Sequence, residues 1–443
     1  MTNFKKIILL IGDLIILYLS LWLTLAIRYG LDFNLIRWQQ HFWSFSFIYW
    51  LWLVIFFIAG LYELTFARNN LNFYSTLFKA LGINTALAIA FFYFIPYFGI
   101  TPKTNLFIDI IIFTILFLIW RQIYNFLVKS IIAANNVLFI GKDNELKKIS
   151  QTLEKHPQLG YKTADQINPK DITSPFDLLE KATQKNIRTI VTAIDPHLNY
   201  KLVQGLYQCL PLKISFYDFP TFYEKILGKV PISGIGEIWF LENLTESQKN
   251  FYEATKRIFD MIGSLIFGLL SLIFYPLIAL IIKIDSHGPV FYKQKRVGLD
   301  GQIFTVLKFR TMIEEAEKDG VKWADYQDYR ITRFGRLIRK IRLDELPQLW
   351  NIFFGQMSFI GPRPERIEFV QQLEKEIPYY QVRHIIKPGL TGWAQVNFRY
   401  GASVKDSIEK LQYELFYIKH RSIVLDLSII LRTIKIILIG SGR

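Results

Sequence analysis

The sequence predicts a three-part membrane protein, in which a membrane α-helical bundle of four spans is followed by a small Rossmann-like α/β domain and then a mixed α/β domain that carries a re-entrant membrane helix. Three observations predict it. Apolar residues make up 51% of the chain and its mean hydropathy is +0.24, but they are concentrated in the first 120 residues, in a block near 261–282 and in the C-terminal tail. Between the first two regions, short strand-like apolar runs alternate with helical stretches. Beyond the block, polarity rises and basic residues cluster. At 443 residues the chain needs no single core to hold it. The divisions fall at 1–130, 131–245 and 246–443, with the re-entrant helix over 258–283.

Four apolar stretches are each near the ~20 residues that a hydrocarbon core requires: Ile7–Ile27, Ser44–Tyr62, Ala80–Phe98 and Leu106–Trp120. No short apolar region with a small-residue cleavage site precedes them, so a signal peptide is not expected. Lys5, Lys6, Arg68, Lys79, Arg121 and Lys129 flank the spans on the side of the N-terminus, against Arg28, Arg37 and Lys103 opposite. The positive-inside bias therefore places the N-terminus and everything after Trp120 in the cytoplasm. Asp13 and Asp109 lie within spans and are expected to face the bundle interior, for function or for helix packing. The lone Cys209 cannot form an intrachain disulfide, which suits a reducing compartment.

From about Asn136 to Leu241, Val137–Ile140, Ile187–Val191 and Ile214–Tyr217 read as buried strands. Glu145–Leu153, Phe176–Asn186 and Leu198–Leu210 read as the helices among them, which implies a small parallel sheet. A dinucleotide site would need G-x-G-x-x-G after the first strand, so that backbone amides can approach a pyrophosphate. Only Gly141 is present. The domain is expected to serve spacing or regulation rather than NAD binding.

Met261–Ile282 carries no charge and is long enough to span. Lys256 and Arg257 precede it, while Lys283, Lys293, Lys295 and Arg296 follow, so the charge bias favours returning both ends to the cytoplasm. Pro276 removes a backbone donor and bends the helix. A helix–break–helix dipping into one leaflet satisfies both facts; a kinked fifth span is the alternative.

The net charge of +15 points to anionic phosphates or an anionic lipid surface as partners, and no nucleic-acid motif accompanies it. Lys308 and Arg310 stand at i and i+2 on a predicted strand, a pattern that solvated faces also show. Ile331–Arg342 contains Arg333, Arg336, Arg339, Lys340 and Arg342 and no acid. It reads either as an amphipathic helix lying on lipid or as a phosphate-binding surface. Asp344 and Glu345 follow at once, and Gly361-Pro362-Arg363-Pro364 supplies a rigid loop presenting one guanidinium, suited to bidentate phosphate contact. Adjacent acids beside a basic run can be simple charge balance. Phosphoryl transfer, however, needs these same parts, a carboxylate nucleophile, a carboxylate for a metal and fixed cations.

The signatures GPVFYKQKRVG, KFRTM, LDELPQLWN, GxMSFIGPRP and KPGLTGWAQVN occur in that order across roughly the last 190 residues. This run, from Lys256 onward, resembles the bacterial sugar transferase family, the monotopic phosphoglycosyl transferases. The four spans and degenerate α/β domain look like the large members that initiate exopolysaccharide or O-antigen synthesis. The resemblance implies that Asp344 is the covalent nucleophile, that Glu345 binds Mg²⁺, and that Arg339 and the loop of Gly361, Pro362, Arg363 and Pro364 hold substrate phosphates. It also implies a UDP-hexose donor, an undecaprenyl phosphate acceptor, UMP as product, and a multi-pass protein of the bacterial inner membrane with its catalytic domain on the cytoplasmic face. Smaller members carry Ser-Pro at the helix break; Tyr275-Pro276 stands here instead. Lys308 and Arg310 become further phosphate or nucleotide contacts. Trp393 and Gln395 are placed near the nucleotide, with core packing an equal alternative for Trp393, and His384 is assigned no role. The tail Leu425–Ile439 reads as an amphipathic helix against the domain or the membrane surface. Association into a homo-oligomer is left open. Two rivals remain at this stage: a nucleotide-sugar dehydratase, which would need an intact glycine loop beside a Tyr-x-x-x-Lys such as Tyr252–Lys256, and a non-catalytic nucleotide-sensing scaffold.

Overall fold

Four helices open the chain: α1 (Thr2–Tyr29), α2 (Leu35–Ala59), α3 (Leu71–Phe94) and α4 (Lys103–Ser130). In this computed structural model the described residues are 2–63, 71–94, 103–130, 135–141, 144–172, 174–193, 200–244, 249–314, 316, 328–398, 401 and 403–439. Within the helices, Lys6–Asp32, Leu35–Ala59, Phe73–Phe94 and Thr104–Leu127 are each long and apolar enough to cross a bilayer. The second begins nine residues before the expected Ser44 because Asn34 caps it, accepting from Arg37 N at 3.0 Å. It ends at Ala59 because Gly60 adopts φ 85°, the left-handed cap that glycine takes without strain. Residues 95–98, the expected end of the third span, lie outside the described residues. Both intramembrane acids face the interior. Asp13 receives Arg121 Nη2 at 2.7 Å with both side chains buried, and Asp109 accepts from Ser20 Oγ at 2.7 Å and Tyr49 OH at 2.9 Å. Arg121 is thus one half of a buried pair rather than a free flanking charge.

The next segment folds as β1 (Asn135–Ile140), α5 (Asn144–Lys155), β2 (Tyr161–Ile167), α6 (Pro175–Gln184), β3 (Ile187–Thr192), α7 (Tyr200–Gln208) and β4 (Ser215–Asp218). All pairs are parallel, in the order β2-β1-β3-β4. The interior strands are mostly buried: β1 (NNVLFI) closes on the apolar run Val137–Ile140, and β3 (IRTIVT) buries every residue but Arg188. The strand that the sequence reading misses, β2, lies at the edge: only Tyr161 and Ile167 of YKTADQI are buried, so no apolar run marks it. Gly141 takes φ +139°, and a Cβ there would stand 2.9 Å from Ala193 Cβ. Close approach of β3's end therefore accounts for this glycine by itself.

The chain divides into two compact units, Met1–Phe219 and Pro220–Arg443. Residues 220–244, grouped by the sequence reading with the α/β domain, pack into the second unit. They comprise most of α8 (Phe219–Leu227) and all of α9 (Glu237–Asn243). Val230 and Ile232 join Ile360, Leu373, Leu411, Leu415 and Ile429 in its core, and Gly228 O accepts from Trp393 Nε1 at 2.7 Å.

The apolar block forms α10 (Asn250–Leu272) and α11 (Tyr275–Asp285), bent by 59° at the break, with Pro276 in the first turn of α11, where a missing N–H costs nothing. Arg257 donates to Ile352 O at 2.8 Å and Phe353 O at 2.7 Å, and Asp260 accepts from Phe359 N at 3.1 Å. Gly263 and Gly268 leave room for Phe359 and Trp350. The first half of the bent pair is therefore docked on the domain that follows. That domain comprises an antiparallel hairpin of β5 (Phe291–Val297) and β6 (Ile303–Phe309), then α12 (Arg333–Lys340), α13 (Gln348–Phe353), β7 (Ser358–Ile360), α14 (Ile367–Glu376), β8 (Gly389–Thr391), α15 (Trp393–Asn397), α16 (Val404–His420) and α17 (Ile423–Ile439). The last helix buries Ile429 in the core and exposes Ile423, Val424 and Leu427 on its other face.

Candidate active site

The site starts from a turn. Thr332 caps α12 by accepting from Gly335 N at 3.0 Å, and the helix ends at Lys340. Arg342 then adopts φ 58°, a left-handed conformation unusual for a residue with a Cβ, and reverses the chain into a single 3-10 turn over Leu343–Glu345. Asp344 and Glu345 are 7% and 6% exposed, so both carboxyl groups are withdrawn from bulk water.

Glu345 is held by three cations from three elements. Arg363 Nη2 lies 2.7 Å from its Oε1, Lys308 Nζ 3.3 Å from the same oxygen, and Arg342 Nη1 3.4 Å from Oε2. Burial pushes its pKa up, but Arg363, Lys308 and Arg342 outweigh burial and hold it well below the usual carboxylate range. Asp344 goes the other way: burial and the neighbouring Glu345 charge push it up to about 6, against the pull of Lys308, Arg339 and Arg363. Burial lowers Lys308 to about 8 although Glu345 opposes the shift.

The Gly361–Pro364 loop that brings Arg363 here crosses the 387–392 segment at backbone contact. A Cβ on Gly361 would stand 2.4 Å from Lys387 O, on Gly389 2.1 Å from Gly361 N, and on Gly392 2.2 Å from Gly361 O. Glycine is required at all three positions because the chains touch.

The structure therefore gathers Asp344, Glu345, Lys308 and Arg363, with Arg339 acting electrostatically on Asp344. It does not bring Arg310 to them. Arg310 lies beyond the end of β6 and donates to Ser286 O at 2.7 Å and Ser286 Oγ at 3.0 Å, fixing the exit from α11. Sequence reasoning passed over Arg342 as a ligand of Glu345, although its place three residues ahead of the acid on a tight turn was the available signal. It also passed over Arg296, whose Nη1 donates to Pro364 O at 3.0 Å. Trp393 packs rather than lining the cluster: it stacks on Phe416 with ring centroids 5.8 Å apart and lies under Arg432.

The family model described as bacterial sugar transferase matches residues 251–440. A UDP-N-acetylgalactosamine-undecaprenyl-phosphate N-acetylgalactosaminephosphotransferase of Aeromonas hydrophila is 40% identical over 240 residues, 54% of this chain and 55% of the relative. A UDP-glucose:undecaprenyl-phosphate glucose-1-phosphate transferase of Xanthomonas campestris pv. campestris is 31% identical over 319 residues, 67% of this chain and 65% of the relative. The shorter uncharacterized sugar transferase EpsL of Bacillus subtilis (strain 168) is 37% identical over 188 residues, 42% of this chain and 89% of that protein. The chain belongs to the bacterial sugar transferase family. It spans 55% and 65% of the first two relatives' own length.

Within this sugar transferase, the Tyr-x-x-x-Lys of Tyr252–Lys256 has a structural occupation. Tyr252 OH donates to Asp426 Oδ2 at 2.8 Å, and Lys256 Nζ lies 3.3 Å from the same atom. As for a metal, no group of three or more acidic, histidine or cysteine ligands occurs among the described residues. Mg²⁺, however, is ordinarily held by one or two carboxylates and completed by water and substrate phosphates. Two carboxylates are the number that arrangement uses, and at Glu345 the ion would have to share oxygens that Arg363, Lys308 and Arg342 already contact.

Proposed function

We propose that this chain transfers a hexose 1-phosphate from a UDP-sugar to undecaprenyl phosphate, releasing UMP, as the first membrane step of exopolysaccharide, capsule or O-antigen synthesis. The observation that carries the reading is the split carboxylate pair, in which three cations hold Glu345 ionised while burial and the Glu345 charge raise Asp344 beside it, against the pull of Lys308, Arg339 and Arg363. The names of the relatives support the donor and acceptor classes.

Asp344 attacks the sugar-bearing phosphorus of the UDP-sugar. The bond to the bridging oxygen breaks, and UMP leaves with its electron pair. The terminal oxygen of the polyprenyl phosphate then attacks the aspartyl sugar phosphate, restoring the Asp344 carboxylate and forming a lipid diphosphate sugar. Lys308, Arg339 and Arg363 offset the charge of the phosphates in both steps. Held by Glu345, Mg²⁺ would supply further neutralisation of the diphosphate. A carboxylate nucleophile divides one displacement into two, so kinetics are ping-pong.

The bent α10–α11 pair serves this chemistry as a re-entrant helix, dipping into one leaflet so that the site meets a lipid phosphate at the cytoplasmic surface of the inner membrane. Its basic flanks and its docking through Arg257 and Asp260 support that placement. The sheet domain of unit one is a degenerate Rossmann-like spacer or regulator, and it does not use NAD.

Mass spectrometry of the enzyme incubated with UDP-sugar alone tests the scheme. The expected result is a phospho-sugar adduct on Asp344, absent in Asp344→Asn together with UMP release. Wild-type turnover by Asp344→Asn, or ternary-complex kinetics without an adduct, would show direct transfer.

A further inference from the structure

Two of the four residues of the Gly361–Pro364 loop are prolines and lack a backbone N–H, so the loop's shape depends on what its carbonyls accept. Pro362 O accepts from Gly389 N at 2.8 Å, and Pro364 O from Arg296 Nη1 at 3.0 Å. Arg363 O, on the residue whose side chain reaches Glu345, accepts from Arg383 Nη2 at 2.7 Å.

Arg383 is only 4% exposed. Its Nε and Nη2 meet the two carboxylate oxygens of Glu414 at 2.8 Å each, and its Nη1 donates to Tyr380 OH at 3.2 Å. The pair with Glu414 would be complete without the loop. The planar fork instead spans both, with one edge on Glu414 and one N–H on the Arg363 carbonyl. An ammonium, a compact point charge, cannot reproduce that geometry. Glu414 orients Arg383, Arg383 fixes the Arg363 backbone, and the Arg363 side chain meets Glu345 at 2.7 Å.

We propose that Arg383, oriented by Glu414 and Tyr380, is a positioning residue that acts on the phosphate chemistry through the backbone of Arg363. This rests on the transferase reading. Arg383 touches no reacting atom; it sets where the Arg363 guanidinium stands. Misplacement by about 1 Å costs on the order of 10²-fold in rate when the displaced group acts in the transition state. The loss falls on the phosphoryl step more than on donor affinity, because Lys308 and Arg339 remain to bind the diphosphate.

The full-length, membrane-reconstituted protein is compared as wild type, Arg383→Lys, Arg363→Lys and the double variant, with Glu414→Gln as a milder perturbation of the same unit. Three readouts are taken: the single-turnover rate of adduct formation from UDP-sugar, the KM for UDP-sugar, and substrate-free hydrogen exchange of the peptide spanning 358–366. Arg383→Lys is expected to slow adduct formation by about tenfold or more while KM moves by less than about threefold. Exchange in the loop peptide rises, and the double variant is no slower than Arg363→Lys by more than about twofold. Glu414→Gln moves rate and exchange in the same direction by less. Losses that multiply in the double variant, or a wild-type rate with unchanged loop exchange in Arg383→Lys, overturn the proposal. Should wild type form no adduct with any UDP-sugar, the transferase reading fails, while loop exchange in the two buried-pair variants still decides whether Arg383 holds the loop.

Discussion

Asp344 and Glu345 are joined by one peptide bond, yet their surroundings drive them in opposite directions. Three cations converge on Glu345, from β6, from the turn before it and from the Gly361–Pro364 loop. Once Glu345 is fixed as an anion, its charge adds to burial in raising Asp344. The pair therefore titrates in well-separated steps, and only the Asp344 step falls near working pH. In the proposed scheme Asp344 attacks as a carboxylate, so adduct formation should fall as pH drops through about 6 and Asp344 takes up a proton. Lys308, lowered to about 8, should lose its charge on the alkaline side, so the rate should fall again as pH rises through that value. Single-turnover rates between these limits should trace a bell. Arg stays protonated throughout, so Lys308→Arg should move the alkaline limb upward and leave the acid limb in place. An alkaline limb unmoved by that substitution would assign it to another group.

Among the elements, the bent pair shows how much a few residues determine. Pro276 and the basic flanks made a break foreseeable, and the chain does bend by 59° there. What hydropathy alone does not reveal is the docking of α10 on the following domain through Arg257, Asp260, Gly263 and Gly268, because that depends on partners nearly a hundred residues away. Such docking, with cations at both ends, predicts that both ends lie on one side. In a Cys209-free background, cysteines at Ala254 and Gln302, both exposed, should react with an impermeant maleimide from the cytoplasmic face. Labelling from opposite faces would establish a fifth span. Other elements were legible in proportion to their burial. The interior strands are marked by Val137–Ile140 in β1 and by the β-branched residues of IRTIVT in β3, whereas β2, at the sheet's edge, carries no such mark. The acids and Arg363 were legible because their motifs are local. Arg310 meets Ser286 rather than the acids because β6 ends at Phe309 and the i, i+2 spacing relates residues only within a strand.

At the scale of the whole molecule, the part that carries the chemistry is smaller than the chain but larger than the family match. The match begins at residue 251, and the 188 residues aligned with EpsL cover 89% of that protein, so the shared sequence is confined to the C-terminal part of this chain. Packing nevertheless places the start of that part earlier. Val230 and Ile232 lie in the core of the second unit, Glu224 meets Lys419 at 3.0 Å and His420 at 2.7 Å, and Lys229 pairs with Glu409. A protein starting at residue 246 would lose these contacts and expose Leu411, Leu415 and Ile418, whereas one starting at Pro220 keeps them. Both truncations retain α10, α11 and every residue of the Asp344 site. In lipid nanodiscs, the protein starting at 220 should form the Asp344 adduct within about threefold of the full-length rate, since every residue assigned to that step lies in the second unit. The protein starting at 246 should unfold at a temperature lower by ten degrees or so, the size expected for losing on the order of 3–4 kcal/mol of core contacts from a domain of this size. Equal melting temperatures would move the boundary back to 246. Loss of adduct formation from the protein starting at 220, with its melting temperature intact, would instead give the first 219 residues a part in catalysis.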